Sequence, residues 1–136
     1  MVEEKIPLIL VVLAGSFERV HYALATAAAA AAGDRPTVLF FAQGAVRGIV
    51  QNKGWQRLAV DDGSSAETVD KAWQARGVAG FEELLMACKE LGVTFLVCSM
   101  GLRVANVTKA QLRADLTIGE TGLVDVLSRK GSLSFI

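Results

Sequence analysis

The sequence predicts one α/β domain over residues 1–136, with a five-stranded, mostly parallel sheet and helices on both faces. Short apolar segments alternate with amphipathic or alanine-rich segments that end at glycine, which is the pattern of strands alternating with helices. The first apolar segment, Ile6–Leu13, is hydrophobic throughout, as in a parallel strand that is covered on both faces. Hydrophobic residues make up 52% of the chain and the mean hydropathy is +0.41, which excludes a disordered protein.

The first strand is followed by a predicted helix. Ser16 is a suitable N-cap, and Glu18 lies in the first turn, where the helix dipole favours an anion. The helix continues through the alanine run Ala27–Ala32 and is expected to end at Gly33. A second strand is predicted at Thr37–Ala42. Strand, helix and strand together form a βαβ unit, which closes onto a parallel sheet.

Residues 45–80 are less regular. A short helix is predicted at Ala45–Gln51, and turn residues are frequent from Asn52 onwards. Ser64 with Glu67 has the spacing of a capping box, for a helix that ends near Gly77. The stretch from Asn52 to Gly80 is long for a connection, so it is either a lid, a subunit contact or a mobile surface loop.

The second half continues the alternation. Apolar residues recur at helical spacing from Phe81 to Leu91, and Gly92 ends that helix. Thr108 and Gln111 have the spacing of a second capping box. The remaining predicted elements are the strands Val93–Cys98, Leu116–Ile118 and Ser132–Ile136 and the helix Gly119–Arg129.

Charge and composition exclude several classes of protein. Lysine plus arginine and aspartate plus glutamate both number 14, so the net charge is zero, which argues against a nucleic-acid-binding domain. No apolar run approaches the roughly 20 residues of a membrane span. Met1–Lys5 is acidic rather than basic, unlike a secretory signal, so we expect a cytoplasmic protein. The surplus of apolar residues predicts a homo-oligomer with buried subunit contacts.

Cys98 is the strongest candidate for a reactive group. It is the last residue of a predicted strand, and ligands of parallel sheets bind beyond the carboxyl ends of strands. The turn Ser99–Gly101, which includes Met100, would leave the thiol partly exposed, and amides of the next helix with Arg103 would favour the thiolate. A buried structural cysteine is the alternative. Cys88, on the apolar face of its helix, is expected to be a core residue.

Other site chemistry is weaker. His21 stands alone and is expected to be a surface or capping residue, and the two cysteines and one histidine have no metal-ligand spacing. Neither a dinucleotide-binding glycine motif nor a P-loop is present, so no cofactor is expected. The alternative to a reactive cysteine is a binding module or an assembly subunit of the same fold. Its pocket for a small ligand or nucleotide would be lined by Gly15, Ser16, Phe17, Gln43, Gly44 and Met100.

Phe81–Ile136 resembles the DsrE/DsrF/DsrH-like family of sulfur-transfer proteins, in the branch often labelled peroxiredoxin-like. The residues that carry the resemblance are FEELLMACKELGVTFLVCSMG, then VTKAQL, then LTIGETGLVDVL, with VLFFAQGAVRG in the first half. This branch usually has serine and a second methionine after Cys-x-Met, where this chain has Gly101 and Leu102.

The resemblance implies a three-layer α/β/α sandwich, usually oligomeric, in which Cys98 carries sulfane sulfur. It therefore implies a sulfur carrier or sulfurtransferase that relays a persulfide between donor and acceptor proteins. A peroxiredoxin is not expected, because Leu91–Val97 has no proline and its one threonine, Thr94, lies inside the strand.

Overall fold

The computed structural model describes residues 5–136, and these form an α/β fold with a five-stranded parallel sheet. The strands are β1 (Leu8–Val12), β2 (Thr37–Phe41), β3 (Thr94–Cys98), β4 (Ile118–Thr121) and β5 (Ser132–Phe135). The α-helices are α1 (Phe17–Ala32), α2 (Ala66–Ala75), α3 (Phe81–Glu90), α4 (Ser99–Ala105) and α5 (Leu123–Ser128), and 3₁₀ helices occupy Gln43–Ile49, Gly54–Arg57 and Lys109–Gln111. The predicted fold class is confirmed.

The order of strands across the sheet is β4-β3-β2-β1-β5, and every neighbouring pair is parallel. The chain steps from β1 to β2, β3 and β4 in one direction, so right-handed crossovers place the intervening helices on one face. Only the return from β4 to β5 runs the other way. That connection contains α5, which therefore covers the opposite face.

The two faces of the sheet carry apolar clusters of very different size. The larger cluster contains alternate residues of β1 (Leu8, Leu10 and Val12) with the buried sides of α1 and α3. The smaller cluster takes the other residues of the strands, and only Val126 joins it from α5. Its buried members are Ile9, Val11, Phe40, Ala42, Leu96, Cys98 and Val126.

Helix α1 has the predicted ends. The backbone N–H of Arg19 donates to the Ser16 hydroxyl at 3.4 Å, and the N–H of Gly33 donates to carbonyls of the last turn. Val20, Leu24 and Ala27 are fully buried. The small alanine side chains let α1 lie close to its neighbours, so the helix adds little thickness to this layer.

The segment from Asn52 to Gly80 is packed onto the larger cluster rather than extended into solvent. Trp55 and Leu58 are each 3% exposed, and the ring of Trp55 stacks on Phe81 with centroids 4.9 Å apart. The predicted capping box at Ser64 is wrong. Ser65 is the N-cap of α2 and accepts from the Thr68 N–H at 3.1 Å, because Ser64 is held by the Asp62 carboxylate.

The Glu82 carboxylate of α3 joins this segment, through Trp55, to Arg113 in the chain before β4. Its guanidinium donates to Glu82 at 2.9 Å and to Asp115 at 2.8 Å, and the Trp55 indole N–H donates to the same Glu82 carboxylate at 3.0 Å. Hydrogen bonds to Asp115 and Glu82 raise the pKa of Arg113, and the hydrogen bond from Arg113 lowers the pKa of Asp115.

Three predicted boundaries are wrong. The last strand before α5 was expected at Leu116–Ile118 and lies at Ile118–Thr121, because Gly119, Glu120 and Thr121 pair with β3. This pairing delays the helix expected from Gly119 until Leu123. The short helix expected at Ala45–Gln51 is a 3₁₀ helix that begins at Gln43. The second capping box, at Thr108 and Gln111, is confirmed.

Over residues 5–136, every helix is too short or too polar to cross a bilayer. The longest helix, α1, has 16 residues.

The burial of the Cys88 thiol predicts that the folded protein loses stability at alkaline pH. This thiol is fully buried in α3, donates to the Leu24 carbonyl at 3.4 Å, and has its pKa raised by burial from 9.0 to about 11. Between pH 9 and pH 11 the Cys88 thiol keeps its proton in the folded state and loses it in the unfolded state. The contribution of this thiol to the free energy of unfolding is therefore fully present below pH 9 and is lost as the pH rises. We expect a loss of roughly 2 kcal/mol.

Urea unfolding from pH 7 to 11 measures this effect. Cys88→Ala should lose less stability over that range than the matched variant Cys98→Ala, in which Cys88 is retained. An equal alkaline loss in both variants would show that burial of Cys88 is not its cause.

Candidate functional site

Cys98 is the last residue of β3, and α4 begins at the next residue, Ser99. Its side chain lies in the smaller apolar cluster and the residue is 2% exposed. The prediction of a partly exposed thiol is therefore wrong. The reason is the two-residue period of a strand: Cys98 shares a face with Leu96, so it points beneath α5 and not into the turn.

A polar group borders the thiol. Cys98 pairs in register with Thr121 of β4, so the two side chains lie side by side on one face. The Thr121 hydroxyl donates to the Asp125 carboxylate at 3.1 Å, and Arg129 holds the same carboxylate at 3.2 Å. The Ser99 hydroxyl donates to the Thr121 carbonyl at 3.4 Å. Sequence reasoning missed Thr121 and Asp125, because a helix was expected to begin at Gly119.

Helix α5 covers this cluster with little packing. It has 6 residues, and Val126 is the one fully buried side chain among them. Gly122, its N-cap, provides no side-chain hydrogen bond. Val124 and Leu127 are 85% and 56% exposed. Burial of one valine contributes on the order of 2 kcal/mol, so α5 is expected to open locally without unfolding the rest of the domain.

The loops after β1, β2 and β3 meet at the carboxyl edge of the sheet and fill the space predicted for the ligand pocket. A Cβ on Gly44 would lie 2.8 Å from the Cα of Gly15, and a Cβ on Gly101 would lie 3.0 Å from the backbone nitrogen of Gln43. These glycines are needed because the backbones touch. The structure therefore brings Gly15, Gln43, Gly44 and Gly101 together, as packing contacts.

The other predicted pocket residues are dispersed. Phe17 is fully buried, so its side chain lies in the core among Trp55 and Phe81. Ser16 is occupied as the cap of α1. Met100 is 48% exposed, and Arg103 lies exposed in the last turn of α4.

An unpredicted cleft of about 320 Å³ lies between the 3₁₀ helices and the end of α4. Arg47, Arg57, Asn106 and Gln111 supply its polar wall. Neither arginine takes part in an ion pair within residues 5–136. The motifs in the sequence gave no sign of this cleft, because its arginines come from separate turns of irregular chain.

The two cysteines are free thiols in different clusters on opposite faces of the sheet. His21 is neither a surface nor a capping residue. It is 6% exposed, its Nε2 lies 2.8 Å from the Ala79 carbonyl, and its ring packs edge-on against Trp73. In the part of the chain that the structure describes, no three histidine, cysteine or acidic side chains are grouped as metal ligands would be.

Access to Cys98 is expected to depend on α5. Val126→Ala removes most of the one buried side chain that holds α5 on the sheet. The substitution should raise the rate at which iodoacetamide alkylates Cys98 roughly tenfold, as expected if the free energy of opening α5 falls by about 1.4 kcal/mol. Val124→Ala, at an exposed position of the same helix, should leave the rate unchanged. Peptide mass spectrometry measures each site.

Alkylation of Cys88 in the same samples reports global unfolding, because that thiol lies in the larger cluster. If Val126→Ala accelerates both cysteines equally, the protein opens as a whole and α5 is not a separate cover.

The comparisons with known proteins assign no family. No protein-family model and no curated protein matches this chain.

Proposed function

We propose that the chain is a cytoplasmic sulfur carrier that holds sulfane sulfur as a persulfide on Cys98 and passes it to an acceptor thiol. The observation that carries this proposal is a free thiol at the carboxyl end of a parallel strand, enclosed in a small apolar cluster under one short helix. The resemblance of Phe81–Ile136 to the DsrE-like family supports the same residue.

The transfer consists of two displacements at sulfur. The Cys98 thiolate attacks the outer sulfur of a donor persulfide, the donor S–S bond breaks, and the donor leaves as a thiolate that takes up a proton. An acceptor thiolate then attacks the outer sulfur of Cys98–S–SH, and Cys98 leaves as a thiolate. Each step makes one S–S bond and breaks another, so no external oxidant or reductant is needed.

Burial suits the storage of sulfur between the two steps. A persulfide in water is open to attack by any small thiol, whereas the cluster around Cys98 is closed by apolar side chains. Local opening of α5 would expose the sulfur when a donor or acceptor protein is present.

Self-association belongs to the same proposal. Apolar side chains remain exposed on the α5 side of the sheet, among them Leu127, Leu133 and Phe135 at 56%, 40% and 58%. Exposed apolar side chains grouped in this way are typical of surfaces that contact other proteins. We therefore propose a homo-oligomer that exchanges sulfur with separate donor and acceptor proteins.

Binding of a small anionic ligand is the second candidate function. It rests on the cleft with Arg47 and Arg57, since guanidinium groups without a carboxylate partner bind phosphate or carboxylate oxygens. The Asn106 and Gln111 side chains line the same cleft and offer further donors. In this case Cys98 would be a structural residue of the smaller cluster.

Sulfur loading tests the first function directly. After incubation with polysulfide, wild-type protein should gain about 32 Da per sulfur atom on the peptide that contains Cys98. Cys98→Ser should abolish this gain, and the matched variant Cys88→Ser should retain it, because Cys88 lies deep in the larger cluster. Loading of Cys98→Ser to the wild-type level would refute the carrier proposal.

The same proteins separate the two functions. An anion-binding module predicts an unloaded Cys98 and a rise in melting temperature with millimolar inorganic phosphate, which Arg57→Gln would remove. Sulfur loading with no response to phosphate favours the carrier.

A further inference from the structure

β5 is an edge strand whose outer hydrogen-bonding groups have no partner in residues 5–136. Toward β1, the Ser132 N–H donates to the Pro7 carbonyl and the Ile136 N–H to the Val11 carbonyl, both at 2.8 Å. Since alternate residues of a strand direct their backbone groups to opposite sides, the N–H and C=O of Leu133 and Phe135 point away from the sheet.

This edge lacks the features that usually prevent strand pairing. Proteins protect exposed edges with charged side chains, proline or bulges. β5 reads Ser-Leu-Ser-Phe, with all four residues exposed and in regular register with β1. The opposite edge of the sheet, β4, carries Glu120. β5 is therefore the edge that is open to another strand.

The side chains on this edge are apolar on one face. Leu133 and Phe135 pair in register with Ile9 and Val11, so they lie on the face that α5 covers. They are nevertheless 40% and 58% exposed. Leu127, 56% exposed in the helix that leads directly into β5, extends the apolar surface.

We propose that β5 pairs antiparallel with β5 of a second copy of this chain, around a two-fold axis at Ser134. The outward groups of Leu133 would then exchange two hydrogen bonds with the partner's Phe135, and the symmetry repeats the pair. A two-fold axis perpendicular to the sheet keeps each face on the same side. Leu133 of one copy therefore packs beside the partner's Phe135, in one ten-stranded sheet.

A second copy is the occupant that the charges favour. The strand has no charged residue and the chain has zero net charge, so two identical edges meet without repulsion between like charges. A stable interface buries about 1,200–2,000 Å² in total, more than a four-residue strand supplies. Contacts by Leu127, the exposed apolar residue of α5 that extends this surface, would add to it.

A single cysteine at the axis tests the register. Ser134 would face its own symmetry mate as a non-hydrogen-bonded pair, with the Cα atoms about 4.5 Å apart, which is within the range of a disulfide. Ser134→Cys should therefore form a covalent dimer on mild oxidation. Ser132→Cys is the matched control, because it lies on the same face and two residues from the axis, and it should not cross-link.

Analytical ultracentrifugation completes the test. Wild-type protein should sediment as a dimer, and Phe135→Lys as a monomer, because the substitution places like charges near the axis without disturbing the buried core. The pairing rests on the proposed self-association and not on Cys98. A wild-type protein that sediments as a monomer would overturn both the proposed self-association and the β5 pairing. A dimer in which Ser134→Cys fails to cross-link, or cross-links no faster than Ser132→Cys, would overturn the β5 pairing alone.

Discussion

The requirement that a parallel sheet be covered on both faces controls the rest of this structure. Three successive crossovers in one direction place α1, α3 and the 3₁₀ helices on the same face. Within residues 5–136, the other face receives only the connection from β4 to β5, which contains α5. One layer is therefore thick and the other thin. The buried thiol of Cys98, the exposed side chains of α5 and the exposed side chains of Leu133 and Phe135 in β5 all lie on the thin side.

The same asymmetry gives the two cysteines different environments. Cys88 lies in the thick layer, where burial raises the pKa of its thiol, and it donates to the Leu24 carbonyl of α1. Cys98 lies under α5, a helix with one fully buried side chain, and its register partner on β4 is Thr121. A thiol that must exchange sulfur needs both shelter and access. Of these two cysteines, Cys98 has the cover that is easier to displace.

The sequence was sufficient for much of the fold and for little of the site. Apolar runs predicted β1, β2 and β3 well, because each is buried on both faces. The sequence pattern did not predict β4 correctly. Gly119, Glu120 and Thr121 form a strand because they pair with β3, and no local sequence pattern encodes that contact. The prediction that the Cys98 thiol is partly exposed was wrong for a related reason. Whether a strand side chain is buried depends on the helix that covers its face of the sheet. The helix that covers Cys98 is α5, and its predicted start was wrong because the predicted bounds of β4 were wrong.

The glycines after the strands show a second limit. Gly15, Gly44 and Gly101 suggested open, ligand-binding turns, but they lie where three loops approach one another. Small residues at the carboxyl edge of a sheet are compatible with either a pocket or a tight contact, and the distance between separate loops decides between them. The cleft with Arg47 and Arg57 shows the opposite case, a site that the sequence did not indicate. Its two arginines come together only when the chain is folded.

The most direct test of sulfur storage on Cys98 is to map sulfane sulfur in protein isolated from cells without any added donor. Free thiols and persulfides would be blocked under denaturing conditions at the moment of lysis, and peptides carrying Cys88 and Cys98 compared by mass. Our account predicts a persulfide fraction on Cys98 and none on Cys88. A Cys98 that is recovered only as the free thiol, from cells that contain persulfides on other proteins, would contradict it.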